Sequence, residues 1–195
     1  MLRRLAAVAA LPLLLHADSL NQAERDFAIR SLLDSRKLFL DAVGPLSEKQ
    51  WNFKPSPERW SVAEIAEHLA LSEDTLFKGA IESLKIDDRS PGPKQPTDQE
   101  VMKFMTDRSI KAQAPPYLQP TQALKKDELI ARFTASRDRT IAYLRDTRDD
   151  LRHHYTLGPL GPMDAYQTII GMSGHSEKHV GQMRDVMASR GFPKK

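Results

Sequence analysis

Apolar positions fall at helical spacing in four long stretches of this chain. Ile29, Leu32, Leu33, Leu40 and Val43 share one face of the first, which Gly44-Pro45 ends. Ser61 followed by Glu64 forms a capping box opening the second, whose apolar arc runs through Val62, Ile65, Leu69, Leu76 and Ala80. The third covers about 126–148, with Leu129, Ile130, Phe133, Ile141 and Leu144 facing inward. The fourth covers about 164–190 and carries Ile169, Met172, Met183 and Val186 on its stripe. Nothing alternates with period two for long enough to propose a sheet, and no internal repeat is evident. The pattern predicts an all-α fold, a four-helix bundle.

Between the second and third stretches the composition changes. Residues 87–98 are rich in turn formers, a short helix is expected near 99–108, and APPYLQP (114–120) reads as extended. So long a connection suits a bundle with a crossover between helices two and three. Its stiff Pro115-Pro116-Tyr117 stretch makes it the natural cover for any site inside the bundle. Tyr117 and Met105 are the residues expected nearest such a pocket.

The 195 residues suit one domain, and 40% apolar with 28% charged residues is ordinary for a globular protein. The first residues carry Arg3 and Arg4, an apolar run from Leu5 to Leu15, and Ala17. They read as a signal peptide, residues 1–17, leaving a domain of 18–195 exported to the periplasm or medium. The competing reading is a short buried N-terminal helix and a cytoplasmic protein. Eleven apolar residues fall short of the ~20 that span a bilayer, so no stable membrane insertion is expected after processing. The formal charge of +3 falls to +1 without the two leader arginines. No basic run or aromatic platform supports nucleic-acid binding. With no cysteine, a thiol nucleophile and a thiolate ligand are both excluded.

Candidate chemistry rests on three histidines. His175 and His179 lie four apart, so both rings leave one face of a helix. At 100° per residue His179 falls within the stripe of the fourth helix and His175 at its edge, while His68 sits at the edge of the second helix's arc. If the two helices are neighbours, the rings can converge on one divalent metal. Three neutral imidazoles suit zinc, nickel or iron and leave positions open for water or substrate. Gln182, three after His179, is a candidate to orient a ligand ring, and Glu64, one turn before His68, is a weaker one whose main task is capping. Ser72 faces the same side. Trp60 is expected to pack the helix start. HSEKH is not the zincin HExxH, because Ser176 occupies the position of the general base and Glu177 points away into solvent. Arg36 and Arg137 fall within apolar arcs, where each either holds an anionic substrate group or pairs with a buried acid. His153 and His154 are assigned to a helix end, with His154 a remote contributor.

Three segments carry a resemblance. WSVAEIAEHL (60–69), followed by Glu73, resembles the second-helix signature of the DinB/YfiT-like superfamily. HSEKHVGQ (175–182) with the closing GFP (191–193) resembles its fourth-helix signature, and GPLGPMDAYQ (158–167) is similar to the entry into that helix. The resemblance covers most of the chain after about residue 20. It implies a four-helix bundle with a metal centre on His68, His175 and His179, and relatives that include thiol-dependent transferases or isomerases. A metal-dependent hydrolase of a small molecule is the expected function. A thiol-dependent S-transferase or isomerase is the alternative, less suited to an exported protein because such thiols are cytosolic. A non-catalytic metal- or ligand-binding module is the third reading, kept open by the lack of an obvious general base beside the histidines. A homodimer is left open.

Overall fold

The computed structural model describes residues 20–86, 94–122 and 124–194. The leader read at 1–17 and the turn-rich residues 87–93 lie outside them. Four long helices form the bundle: α1 (Gln22–Val43), α3 (Val62–Ser83), α5 (Lys126–Asp146) and α6 (Ala165–Met187). Short α2 (Glu48–Trp51) follows α1, α4 (Asp98–Thr106) and a 3-10 turn (Pro116–Leu118) lie between α3 and α5, and strands β1 (Tyr155–Gly158) and β2 (Gly161–Asp164) precede α6. The helices pack in the ring α1–α6–α3–α5, so α3 and α6 are neighbours. The long connection leaves α3, lays α4 on α6, passes its 3-10 turn along α3, and only then enters α5. It therefore crosses over the α3–α6 seam.

Local chemistry sets the boundaries. Asn21, Ser47, Ser61, Thr97 and Asp164 each cap a helix through a reciprocal pair with a Glu or Gln three residues on. The third long helix stops at Asp146 because Thr147 turns extended, at ψ 143°. A sheet was not expected from the sequence. The hairpin Tyr155–Asp164 is the exception, and its four-residue strands pair antiparallel with Tyr155 opposite Asp164. Gly161, at φ 107°, permits its turn.

The core is in two parts. One gathers Phe39, Trp51, Ile65, Leu69, Phe133, Val180 and Met183, and the other Leu32, Ile141, Leu144, Tyr166, Ile169 and Met172. Each such side chain, fully buried, contributes about 1.5–3 kcal/mol. Between them lies a polar layer to which every bundle helix gives one residue. Arg137 and Glu73, 0% and 1% exposed, form a two-pronged ion pair with N–O distances of 2.6 and 2.8 Å. The same guanidinium donates to Ser35 Oγ at 2.7 Å and Ser176 Oγ at 2.8 Å. Burial pushes the Glu73 carboxyl up against the pull of Arg137.

Candidate metal centre

His68 stands on α3, and His175 and His179 stand one turn apart on α6. Because α3 and α6 are neighbours, the three rings meet. Their ligand-capable nitrogens all lie within 4.8 Å of one another. His175 Nε2 is 3.0 Å from His179 Nε2 and 3.4 Å from His68 Nε2. Tetrahedral nitrogens bound at 2.0–2.1 Å to one zinc stand about 3.3 Å apart, so the spacing suits a shared ion.

The outer nitrogens fix the tautomers. His68 Nδ1 donates to the Leu118 carbonyl at 2.9 Å, and His179 Nδ1 donates to Gln182 Oε1 at 2.7 Å. Both rings therefore present an unprotonated Nε2 to the centre. His175 Nδ1 is enclosed and has no partner among the described residues. A single proton on His175 Nε2 could satisfy one neighbouring lone pair, not two. A divalent cation satisfies all three, and the donor set fits one.

Electrostatics favour the ligand form. Burial lowers the His68 pKa below its ordinary value. Burial, then the nearby His68, lowers His179 to about 3. Burial, reinforced by the other two histidines, holds His175 well below 6.5. All three are neutral at pH 7, as metal ligands must be.

The neighbouring residues differ from expectation in places. Gln182 does contact a histidine, but Glu64 does not. Its carboxylate caps α3 through Ser61 N at 2.7 Å and takes bonds from Lys54 at 2.8 Å and Gln122 at 3.1 Å. Ser72 Oγ bonds back to the His68 carbonyl at 2.8 Å and turns no polar atom to the centre. Trp60 does more than pack the helix start, since its ring lies 5.3 Å from that of His68 and lines the cleft. Glu67, which sequence reasoning passed over, is buried beside His68. Its carboxylate accepts from Thr121 Oγ1 and Gln122 N, both at 2.7 Å. Together Glu64, Glu67 and His68 fasten residues 118–122 to α3, and they hold Gln122 at a left-handed φ of 58°. The only sequence signal for this was three polar side chains in five residues on a helix that is buried from Val62 to Ala70.

The histidines line a cleft of about 1050 Å³. The long connection supplies one wall, from Phe104 and Met105 to Leu118 and Gln119. Met105 lies where expected, and its α4 sits close to α6 because a Cβ on Gly174 would come within 2.9 Å of Met105 Cβ. Tyr117 does not. It is 68% exposed, and its neighbours Pro115 and Leu118 form the wall instead. Proline at 116 starts a 3-10 turn that leaves Tyr117 on the outside.

The other candidates lie elsewhere. Arg137 spends its charge on Glu73, and Arg36 pairs with Asp138. His154 Nδ1 donates to the Ile86 carbonyl, and His153 pairs with Asp150; neither lines the cleft. Glu177 is half-buried rather than solvated, and burial with the nearby Asp34 pushes its carboxyl up.

Residues 31–183 match the family model of the DinB superfamily. The chain belongs to that superfamily. Among relatives of this DinB protein is YuaE of Bacillus subtilis (strain 168), an uncharacterized protein. It is 24% identical over 143 residues, which are 72% of this chain and 85% of YuaE. Among solved structures, YfiT from Bacillus subtilis superposes with a TM-score of 0.61 at 15% identity, covering 90% of this chain and 92% of YfiT. YfiT is described as a probable metal-dependent hydrolase with an unusual four-helix bundle topology. At that identity the likeness establishes the shared four-helix-bundle fold.

Proposed function

We propose that this DinB-superfamily protein is a metal-dependent hydrolase of a small molecule, with His68, His175 and His179 as the ligands of one divalent ion. The observation that carries the reading is the convergence of three Nε2 atoms, two with tautomers fixed from behind by Leu118 and Gln182. The description of YfiT as a probable metal-dependent hydrolase supports it. A zinc, nickel or iron ion held there supplies Lewis acidity, which acidifies water or polarises a substrate oxygen.

The chain's own residues do the rest. Gln182 and the Leu118 carbonyl hold two rings in place. Trp60, Ile65, Phe104, Met105 and Leu118 give the cleft apolar walls that take the body of a substrate and limit water. No carboxylate among the described residues hydrogen-bonds a ring of the centre.

Export belongs to the same proposal. Cleavage after Ala17 would leave the bundle whole, since α1 begins at Gln22 behind its Asn21 cap. An exported protein would not meet cytosolic thiols, which favours hydrolysis over S-transfer. The test is turnover of a panel of small esters and amides by metal-loaded protein, by chelated protein and by His175→Ala. Hydrolysis by the loaded wild type alone is the expected result. Turnover only when a thiol is added would replace hydrolase by transferase, and no turnover of either kind would leave a binding module.

A further inference from the structure

The cleft over the three histidines is built with an excess of positive charge. Arg59, Arg108, Lys111 and Lys178 line it, against Glu58 and Asp185. Asp185 is paired with Arg108, and Glu58 lies close to Lys54, so along the cleft the cations outnumber the acids by two. Lys178 donates to the Ile110 carbonyl at 2.8 Å, which fixes its position, and Asp107 is the carboxylate whose pKa it lowers. Arg59 and Lys111 are exposed and have no carboxylate partner among the described residues. The neighbouring cavity of about 490 Å³, which shares Phe104 and Ile110 as wall, shows the contrast. There Lys94 and Lys103 face Glu100 and Asp107, and the charges balance.

Three neutral imidazoles add to the imbalance, because they leave the full charge of a bound divalent ion for the ligand to answer. A low-dielectric cleft lined by one sign of charge concentrates counter-ions of the other sign. The same cleft is also lined by Trp60, Ile65, Met105, Leu118 and Val186, which suit an apolar body rather than a bare ion.

We propose that the substrate is a small organic anion, a carboxylate or phosphate ester with an apolar body, whose charged end rests on Arg59 and Lys111 while its reacting end faces the histidines. The proposal rests on reading the three histidines as a metal centre, and it assigns to Arg59 and Lys111 the choice of substrate class. Arg59 and Lys111 are exposed, so solvent weakens each contact, and the two together favour the anion over a neutral counterpart by about tenfold.

The experiment uses the full-length protein with its metal content measured first. Small aliphatic and aromatic carboxylates and phosphate monoesters, each beside its neutral amide, methyl ester or alcohol, are compared by ligand-observed NMR and titration calorimetry. The anionic members should bind about tenfold more tightly than their counterparts, and more weakly as salt rises. The Arg59→Gln/Lys111→Gln variant should lose that preference and keep its metal. A stronger response to carboxylates or to phosphates identifies which anion is taken. Equal binding of charged and neutral members, or a variant that binds like wild type, overturns the proposal even when the metal is present. A preference that depends on Arg59 and Lys111 in protein that holds no metal would sustain the rim and remove the metal reading.

Discussion

At the scale of single residues, the site is decided by what stands behind each imidazole. His179 alone could turn about its χ angles; with Nδ1 on Gln182 Oε1 at 2.7 Å it cannot, and its lone pair faces the centre. Gln182→Ala removes that acceptor and should weaken metal affinity by about 10–100-fold, read by competition with a chromogenic chelator. Gln182→Glu keeps an acceptor in place and should retain most of the affinity. Equal affinity in wild type and Gln182→Ala would show that the ring is held by packing alone. The sequence made Gln182 legible, because helical spacing places it beside His179. Leu118 was not legible, since a backbone carbonyl acts whatever side chain it carries. Glu64 caps α3, the main task its spacing from Ser61 assigned it, and the weaker possibility of a contact with His68 fails because Ser61, Lys54 and Gln122 occupy its oxygens.

At the scale of elements, the four long helices were legible because caps and apolar stripes agree. The hairpin was not, because two four-residue strands rich in Gly and Pro carry too little alternation to register. Short α2 was missed although Ser47 and Gln50 have capping-box spacing. What the stripes could not convey is the layer of Ser35, Glu73, Arg137 and Ser176, where Arg137 of α5 meets one polar side chain from each of the other three bundle helices. Glu73 follows His68 by five residues and Ser176 adjoins His175, so this layer sets how α3 and α6 stand relative to each other. Arg137→Ala strands a buried carboxylate and should cost about 3–5 kcal/mol in denaturant unfolding. Glu73→Leu/Arg137→Met removes both charges and should recover most of that stability while weakening metal binding. A double variant that is stable and binds metal like wild type would show that the layer does not position the histidines.

At the scale of the whole molecule, the buried histidines couple the centre to folding. In the unfolded chain each titrates near 6.5, whereas in the fold all three are held lower, His179 at about 3. Below about pH 6.5 the unfolded state therefore takes up protons that the native state refuses, and the metal-free protein loses stability as pH falls toward 3. Asp164 acts in the opposite sense. Burial raises it to about 6, so its protonation on acidification relieves the native state. The contribution of the histidines is isolated by comparing wild type with His175→Ala/His179→Ala. The melting temperature of metal-free wild type should fall more between about pH 7 and pH 5 than that of the variant. Parallel curves would mean that the histidines are not held neutral in the fold.

The central claim is that three imidazoles from two neighbouring helices form one metal site, and counting metal tests it most directly. Protein without an affinity tag is offered excess zinc, dialysed, and analysed by mass spectrometry for metal per chain, beside His68→Ala, His175→Ala and His179→Ala. About one ion per wild-type chain is expected, with loss of stoichiometric binding in each variant and unchanged helical circular dichroism. Wild type that retains no metal, or a single variant that retains a full equivalent, would contradict the account.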